Sequence, residues 1–345
     1  MKYFIKTFGC QANEADSEKL ASFFDSQGYK VANDVKAANV VVINTCSVRE
    51  SAENRVFGLV NNLSKKKSKK QKIIVTGCMV GSALGERKRY SLSFLRKKLP
   101  FVDEFKTIEQ IIGDENILPK YKKKDNALVP IMEGCNNFCS YCVVPYARGK
   151  EVSRDFDEII CEIKRLVDLG YKQLTLIGQN VNSYGKDLKS KIGFADLLRG
   201  INLLEGIKKI SFLTSNPWDL SDEIIEAIAL PKVDRYLHLP LQSGNDQILK
   251  KMNRSYRAVD YLNLVKKIKK RIPDIKIGTD IIVGFPTETK KQFEDTVKIC
   301  KKVGFVKAFV AKYSPRMGTA AYHLKDDVPP QEKKQRWNIL NDLIN

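Results

Sequence analysis

Along the first 120 residues, two hydrophobic patterns alternate. Uninterrupted runs of β-branched residues, as at residues 40–44, are typical of buried parallel strands, whereas apolar residues repeating every three or four positions indicate amphipathic helices. Strands are predicted over residues 3–7, 40–44 and 73–76, and helices over 14–28 and 51–63. The alternation predicts an α/β domain with an open parallel sheet covered by helices.

From residue 127 onwards, a second and longer alternation begins. Strands are predicted over residues 127–132, 173–177, 209–213, 235–239, 276–283 and 307–312, and helices over 155–169, 194–204, 221–228, 261–271 and 290–303. Six β/α units in series predict a partial (β/α)6 barrel of parallel strands. The polar segment 121–126 separates the two series, so we expect domains at 1–120 and 127–345 joined by this linker.

Composition indicates a class of partner and a cellular compartment. The chain of 345 residues carries a net charge of +20, which favours an anionic partner such as nucleic acid, although a lysine-rich proteome would give the same value. No stretch of apolar residues is long enough to span a membrane, and the N-terminus lacks a signal peptide. We therefore expect a cytoplasmic protein without membrane contact, in which thiols stay reduced and more often bind metal than form disulfides.

Three cysteines come directly after the first three predicted strands. Cys10, Cys46 and Cys78 would all lie at the same edge of a parallel sheet, which is the usual place for ligands. The pattern predicts a metal or cluster site, and the alternative is three unrelated buried cysteines. Cys161 and Cys300 lie instead on helical patterns and are interpreted as small buried hydrophobic residues.

Cys135, Cys139 and Cys142 form a CxxxCxxC array after the first strand of the second series. A structural zinc ion takes four ligands, and a [4Fe-4S] cube normally takes four cysteines. A cube held by three cysteines keeps one iron open for a small molecule. At the C-terminal end of a barrel strand, that iron would lie where barrel enzymes carry out their chemistry.

Several motifs together resemble the radical S-adenosylmethionine (SAM) methylthiotransferase family. The array stands in EGCNNFCSYCVVPYARGKEVSR at residues 133–154. The further motifs are GCQAN at 9–13, NTCSVRE at 44–50, GC at 77–78, GQNVNSY at 178–184, HLPLQSG at 238–244 and DIIVGFP at 280–286. The resemblance covers nearly the whole chain, and CNNFC with VVPY is most similar to the branch that acts on N6-isopentenyladenosine.

The resemblance implies two [4Fe-4S] clusters and SAM as cofactors. Cys135, Cys139 and Cys142 would be catalytic, holding the cluster whose open iron binds SAM, and the SAM would be cleaved to a 5′-deoxyadenosyl radical. Cys10, Cys46 and Cys78 would hold an auxiliary cluster that presents sulfur. The product would be 2-methylthio-N6-isopentenyladenosine next to the anticodon of tRNA, and an electron donor such as flavodoxin or ferredoxin would be needed.

Two alternatives stay open. Within the family, the substrate could be threonylcarbamoyladenosine in tRNA or an aspartate of a ribosomal protein. The alternative from another class is a non-catalytic RNA-binding protein whose iron–sulfur clusters only stabilise the fold. Two sets of three cysteines without a fourth ligand argue against this alternative, because structural metal sites normally have all their ligands from the protein.

Candidates for SAM contact follow the predicted barrel strands, where they could equally be turn formers. They are Gly178, Gln179, Thr214, Ser215, Gln242, Ser243 and Asp280. Asn216 stands where the family more often has histidine. Arg148 and Arg154 could bind a carboxylate or phosphate or could pair with acidic neighbours, and His238 is interpreted as a core histidine.

The family usually carries a C-terminal TRAM β-barrel that binds RNA, and here the last predicted element is a helix over 331–344. We therefore expect no TRAM barrel in this chain. The lysines of segments 65–72 and 120–124 are the candidates to compensate for it.

Overall fold

The computed structural model describes residues 1–48, 50–64, 68, 70–113, 117–121 and 125–345, and the chain forms two compact units. The first comprises Met1–Lys124, Glu133–Asn136 and Cys142–Glu151, and the second Asp125–Met132, Asn137–Tyr141 and Val152–Asn345. Short pieces of the CxxxCxxC region thus belong to the first unit. The division into domains at 1–120 and 127–345 stays a prediction. The lysines at 65–67, 69 and 122–124 lie outside the described residues.

The first unit is built on a parallel sheet of five strands in the order β2-β1-β3-β4-β5. The strands are β1 (Lys2–Thr7), β2 (Lys30–Val31), β3 (Val40–Thr45), β4 (Lys72–Gly77) and β5 (Glu104–Phe105). Its helices are α1 (Gln11–Ser26), α2 (Glu50–Ser64), α3 (Cys78–Leu84), α4 (Leu92–Lys98), α5 (Ile108–Ile112) and α6 (Val144–Ala147).

Every residue of β3 is buried, as its β-branched sequence predicts for a central parallel strand. On one face, Val41 and Ile43 pack with Val56 and Val60 of α2, and on the other Val42 packs in a cluster that contains residues of α1. The open parallel α/β fold is therefore confirmed. The two-residue strands β2 and β5 and the short helices α3 to α6 were not predicted.

The second unit carries six parallel strands in sequence order. They are β6 (Asn126–Pro130), β9 (Gln173–Ile177), β10 (Lys209–Phe212), β11 (Tyr236–His238), β12 (Lys276–Val283) and β13 (Lys307–Lys312). Two sheets, β6-β9-β10 and β11-β12-β13, are joined by a parallel bridge between Ile210 and Val233. This row of six strands confirms the predicted partial barrel. Two short strands, β7 (Met132–Glu133) and β8 (Val152–Ser153), precede and follow the cysteine array in sequence.

Helices connect these strands at the predicted positions. They are α7 (Phe156–Asp168), α8 (Phe194–Leu203), α9 (Asp222–Ile228), α10 (Asp246–Lys251), α11 (Ala258–Arg271), α12 (Lys290–Val303) and α13 (Pro330–Ile344), and only α10 was not predicted. In the described part of the chain, no helix has the length and apolar character needed to cross a membrane. Within residues 313–345, all of them described, no strand follows β13.

Candidate functional site

The first three cysteines occupy one edge of the sheet of the first unit. Cys10 is the N-cap residue of α1, Cys46 directly follows β3, and Cys78 is the first residue of α3 after β4. The register pairs Thr7 with Asn44 and Thr45 with Gly77, so the three strands end side by side. The structure therefore has these thiols at neighbouring carboxyl ends of strands, as the sequence predicted.

One buried amide contacts two of these thiols. Asn13, which has no solvent exposure, accepts at Oδ1 from the Cys10 backbone N–H at 3.3 Å, with the Cys10 Sγ at 3.6 Å. Its Nδ2 donates to Asn44 Oδ1 at 3.1 Å and Thr45 O at 3.2 Å and lies 3.9 Å from Cys78 Sγ. Asn13 is thus a site residue that sequence reasoning missed, although it stands in the GCQAN motif.

A glycine allows β4 to end this close to β3. Gly77 has φ +84°, and a Cβ there would lie 2.2 Å from Asn44 Oδ1 and 2.7 Å from Thr45 O. Thr45 Oγ1 donates to Thr76 O at 2.5 Å and accepts from Met79 N at 3.2 Å, which fixes the start of α3. The positions of Cys46 and Cys78 are therefore set by contacts of Gly77 and Thr45 that do not depend on the thiols.

The donor set at this edge consists of thiols. The cysteines are free of disulfides, Cys46 and Cys78 are buried, and Cys10 is exposed. Among the described residues, no three His, Cys, Asp or Glu side chains stand as a ready site for a single metal ion. A cube separates its ligands more widely than one ion does, because each thiolate binds a different iron, so three spaced thiols fit a cube.

The CxxxCxxC cysteines are divided between the units, with Cys135 and Cys142 in the first and Cys139 in the second. In the first unit, the Cys135 N–H donates to Gly149 O at 3.2 Å, and Cys142 Sγ accepts from Val144 N at 3.5 Å. Gly134 has φ +80°, and a Cβ there would lie 1.9 Å from Lys150 O. A glycine is therefore required for the close approach of the backbone beside Cys135.

Arg148 follows this array in the first unit, and its side chain is 8% exposed. Its Nη2 lies 2.6 Å from Asp16 Oδ2 and its Nη1 lies 2.8 Å from Glu133 Oε1. Burial disfavours the charged guanidinium, but the negative charges of Asp16, Cys78 and Glu133 outweigh that effect and hold the pKa of Arg148 well above its usual value. Of the two roles considered for Arg148, pairing with acidic neighbours is the one observed.

The middle cysteine of the array, Cys139, lies in the second unit beside Arg254. Arg254 Nη1 donates to Cys139 Sγ at 3.4 Å and to Asn216 Oδ1 at 3.2 Å, and Nη2 donates to Pro240 O at 3.3 Å. Burial opposes the charge of this guanidinium, yet Tyr141, Tyr256 and Cys139 keep its pKa above the usual value. Sequence reasoning missed Arg254 because it lies in a loop after α10 rather than at a strand end.

The residues predicted for SAM contact differ in their hydrogen bonds and backbone conformations. Thr214 donates through Oγ1 to Gly178 O at 2.6 Å, and Gln242 bonds through its backbone to Asp280 O and Ile282 N. Thr214 and Gln242 have φ of +67° and +63°, a region that non-glycine residues adopt at a cost and mostly at functional sites. Gln179 follows Gly178 at the end of β9 and is partly exposed.

Four other residues considered in the sequence analysis have partners of their own. Ser243 Oγ lies 3.4 Å from Thr296 Oγ1, and Asp280 Oδ2 lies 2.9 Å from His238 Nε2. Arg154 donates to Pro130 O at 2.7 Å and pairs with Glu162 at the same distance. These contacts explain the polar side chains of Ser243, His238 and Arg154 without a ligand.

Several buried polar atoms of the second unit lack a hydrogen-bond partner among the described residues. They are Asn180 Oδ1, Asn182 Oδ1, Ser215 Oγ, Gln242 Oε1 and Arg254 Nε. A buried polar atom without a hydrogen bond costs about 1–3 kcal/mol, so each of these atoms is expected to bind a ligand group or an ordered water. SAM carries amino and ribose hydroxyl donors, which match the oxygen acceptors in this set.

Two family models match separate parts of the chain. Residues 2–90 match the model of the uncharacterized protein family UPF0004, and residues 129–300 match that of the radical SAM superfamily. Each match contains one set of three cysteines.

Curated relatives are similar over the full length. The tRNA-2-methylthio-N(6)-dimethylallyladenosine synthase of Clostridium botulinum (strain Loch Maree) is 45% identical, over 100% of this chain and 81% of the relative. The proteins of the same name from Clostridium tetani and Clostridium novyi are 45% and 46% identical, with 99% and 100% of this chain and 81% of each relative covered.

Solved structures of low identity share the fold. The radical SAM methyltransferase TsrM from Kitasatospora setae, solved with cobalamin and a [4Fe-4S] cluster, has a TM-score of 0.62 at 12% identity, covering 93% of this chain and 77% of that one. The cobalamin-dependent radical SAM enzyme OxsB has a TM-score of 0.60 at 9% identity, covering 99% and 55%. At such identities the likeness concerns the fold alone.

Proposed function

The chain belongs to the family of tRNA-2-methylthio-N(6)-dimethylallyladenosine synthases, and we propose that it methylthiolates C2 of N6-isopentenyladenosine next to the anticodon of tRNA. It is a radical SAM enzyme of the transferase class, with SAM and [4Fe-4S] clusters as cofactors. The observation that carries the proposal is the second set of three thiols, Cys10, Cys46 and Cys78, at one sheet edge. SAM cleavage needs one open cluster, and sulfur insertion needs another site.

The cysteines have separate roles in this proposal. Cys135, Cys139 and Cys142 hold the cluster that binds SAM, and Cys10, Cys46 and Cys78 hold the auxiliary cluster. When bound, these groups supply a deoxyadenosyl radical, the sulfur and the methyl group. A radical suits C2 of adenine, because the C–H bond there offers no acidic proton to a general base.

The protein residues orient these groups. Asn13 fixes the directions of the Cys10 and Cys78 side chains through the contacts of its amide. Ser215, Gln242, Asn180 and Asn182 offer their unpartnered oxygens to SAM, with Gly178, Gln179 and Thr214 forming the adjoining strand ends. Ser243 and Asp280 belong to the same proposed pocket, although both have protein partners.

The substrate must be drawn in and unstacked. A net charge of +20 attracts the phosphate backbone, and a single-stranded anticodon loop lets a base leave its stack at little cost. A cytoplasmic location and a low-potential electron donor such as flavodoxin or ferredoxin belong to the same proposal.

Anaerobic reconstitution tests the function. The protein is loaded with iron and sulfide, reduced, and given SAM with isopentenylated or threonylcarbamoylated tRNA, and the digested nucleosides are analysed by mass spectrometry. We expect the methylthio product from isopentenylated tRNA and about eight irons per chain, four for each cube. Substitution of Cys10, Cys46 and Cys78 by alanine should remove half of the iron. It should abolish formation of the methylthio product but leave SAM cleavage intact. SAM cleavage with neither nucleoside product would contradict the proposed substrate.

A further inference from the structure

We propose that Arg254 is a positioning residue that raises the reduction potential of the cluster held through Cys139. The inference rests on the proposed function in one respect, namely that Cys139 is a cluster ligand. None of the family motifs includes Arg254. The residues that hold its side chain all lie within the second unit.

The guanidinium is held so that one N–H points at the Cys139 sulfur. Arg254 Nη1 approaches Cys139 Sγ to 3.4 Å, while Asn216 Oδ1 and Pro240 O accept from the same guanidinium at 3.2 and 3.3 Å. These two oxygen acceptors lie after β10 and β11, so the strand ends determine its plane.

Two aromatic rings also fix the orientation of the Arg254 guanidinium. The Arg254 guanidinium carbon lies 4.4 Å from the Trp218 ring centroid and 5.3 Å from that of Tyr256. Tyr256 is itself fixed, because its hydroxyl donates to Leu241 O at 2.5 Å. Stacking between aromatic faces favours a guanidinium and leaves it little rotational freedom.

Arg254 is only 8% exposed, and its Nε has no partner among the described residues. A buried guanidinium with a free N–H is costly unless an acceptor arrives with a bound group. A cluster with thiolate ligands is anionic and provides such an acceptor beside Cys139.

The charge has a defined effect on the cluster. Hydrogen bonds to ligand sulfur and the local net charge set the reduction potential of iron–sulfur clusters. Reduction adds one electron from an external low-potential donor, and a fixed positive charge beside the ligand thiolate stabilises the more negative reduced state. Because the guanidinium is buried, solvent and salt screen this interaction little.

The test compares Arg254→Gln, which keeps an N–H donor and removes the charge, with Arg254→Lys, which keeps the charge and removes the fork. Each reconstituted full-length protein is titrated with dithionite and followed by electron paramagnetic resonance. The signal of the relevant cluster is identified as the part that SAM changes. Arg235→Gln is the matched control, because Arg235 donates to the carbonyls of Ile228 and Ala229, away from the cysteines.

We expect the midpoint of Arg254→Gln to fall, with the ratio of reduced to oxidised cluster at a fixed potential lower by about tenfold, which is about 59 mV for one electron. Arg254→Lys should lie between this variant and the wild type, and Arg235→Gln should match the wild type. An unchanged midpoint in Arg254→Gln with full iron content overturns the inference.

Two further outcomes also overturn it. If Arg254→Gln weakens SAM binding, measured by equilibrium dialysis, while the midpoint is unchanged, Arg254 acts on SAM rather than on the cluster. If both Arg254 variants lose iron, the side chain is required to retain the cluster and not to set its potential. A wild-type protein with no SAM-sensitive signal would instead remove the proposed function itself, so the two failures are distinguishable.

Discussion

The side-chain amide nitrogen of Asn13 lies 3.9 Å from the Cys78 sulfur, although 65 positions separate the two residues. Through its other contacts, the same amide ties the start of α1 to the end of β3. Asn13 therefore connects three chain segments that carry or adjoin the proposed auxiliary ligands.

Replacing Asn13 with alanine should separate the two halves of the reaction. We expect the auxiliary iron and the methylthio product to fall by about tenfold or more, while SAM cleavage persists, because outer contacts of metal ligands are worth about 10- to 100-fold. Iron content, released deoxyadenosine and product nucleoside are measured on the same sample. The matched control is Asn61→Ala at an exposed position of α2, which should leave all three unchanged. Equal loss of SAM cleavage and product in Asn13→Ala would contradict this role.

Gly77 gives a prediction for stability. Gly77→Ala should lower the free energy of unfolding by about 2 kcal/mol or more, because the left-handed backbone alone costs about 1–3 kcal/mol and the new Cβ would meet Asn44 and Thr45. Denaturant unfolding of Gly77→Ala and of the wild type measures this loss of stability.

Gly58→Ala is the matched control. Gly58 lies inside α2, and a Cβ there would meet nothing within 4 Å. This change should raise stability by about 0.5–1 kcal/mol through helix propensity. If both variants destabilised the protein equally, the special conformation of Gly77 would not be the cause.

The fold could be predicted where a long pattern carries it. Buried strands such as β3 are continuous β-branched runs, and turns directly after them placed the cysteines at the sheet edge. The strands β2 and β5 have two residues each, too few for any periodicity, and their pairing is decided by the neighbouring strands. The barrel strands are long enough to show a pattern, and their predicted C-terminal ends lie within two residues of the observed ones. Helix α10 has only six residues and was missed.

Within the candidate site, the contacts formed across long sequence separations could not be predicted. Arg254 lies 115 positions from Cys139, and its burial depends on Trp218 and Tyr256. Nothing local distinguishes it from the many basic residues of this chain. Cysteine carries a chemical signal in any context, whereas an arginine or asparagine acquires a role only from the residues that surround it.

Cys300 gives a prediction for pH dependence. Burial in α12 raises the pKa of its thiol from 9.0 to about 12, so at pH 8 its thiolate fraction is about a thousandfold below that of an ordinary cysteine. The interpretation of Cys161 as a buried residue was wrong, because its helix position is exposed. Iodoacetamide at pH 8 should therefore label Cys161 and leave Cys300 unlabelled, as mass spectrometry of the holoprotein can show.

The sign for stability follows from the same shift. The folded state favours the neutral thiol, so the stabilising contribution of Cys300 is complete below pH 9 and is lost as pH rises toward 12. Cys300→Ala is the control, because without this thiol the loss of folding stability at alkaline pH should be smaller. Labelling of Cys300 as fast as Cys161 at pH 8 would contradict its burial.

The lysines of segments 65–72 and 120–124 give a prediction for tRNA binding. Replacing Lys65, Lys66, Lys67 and Lys69 with glutamine should flatten the dependence of log affinity on log salt. Each lost phosphate contact should reduce the slope by about 0.7–0.9. A second variant replaces Lys122, Lys123 and Lys124 in the same way, and filter binding at several salt concentrations measures both. The control replaces four exposed lysines of α12, as many as the first variant, at Lys290, Lys291, Lys301 and Lys302. A slope that falls equally in the control would mean that total charge draws tRNA to the protein, and an unchanged slope in the first two variants would exclude both segments.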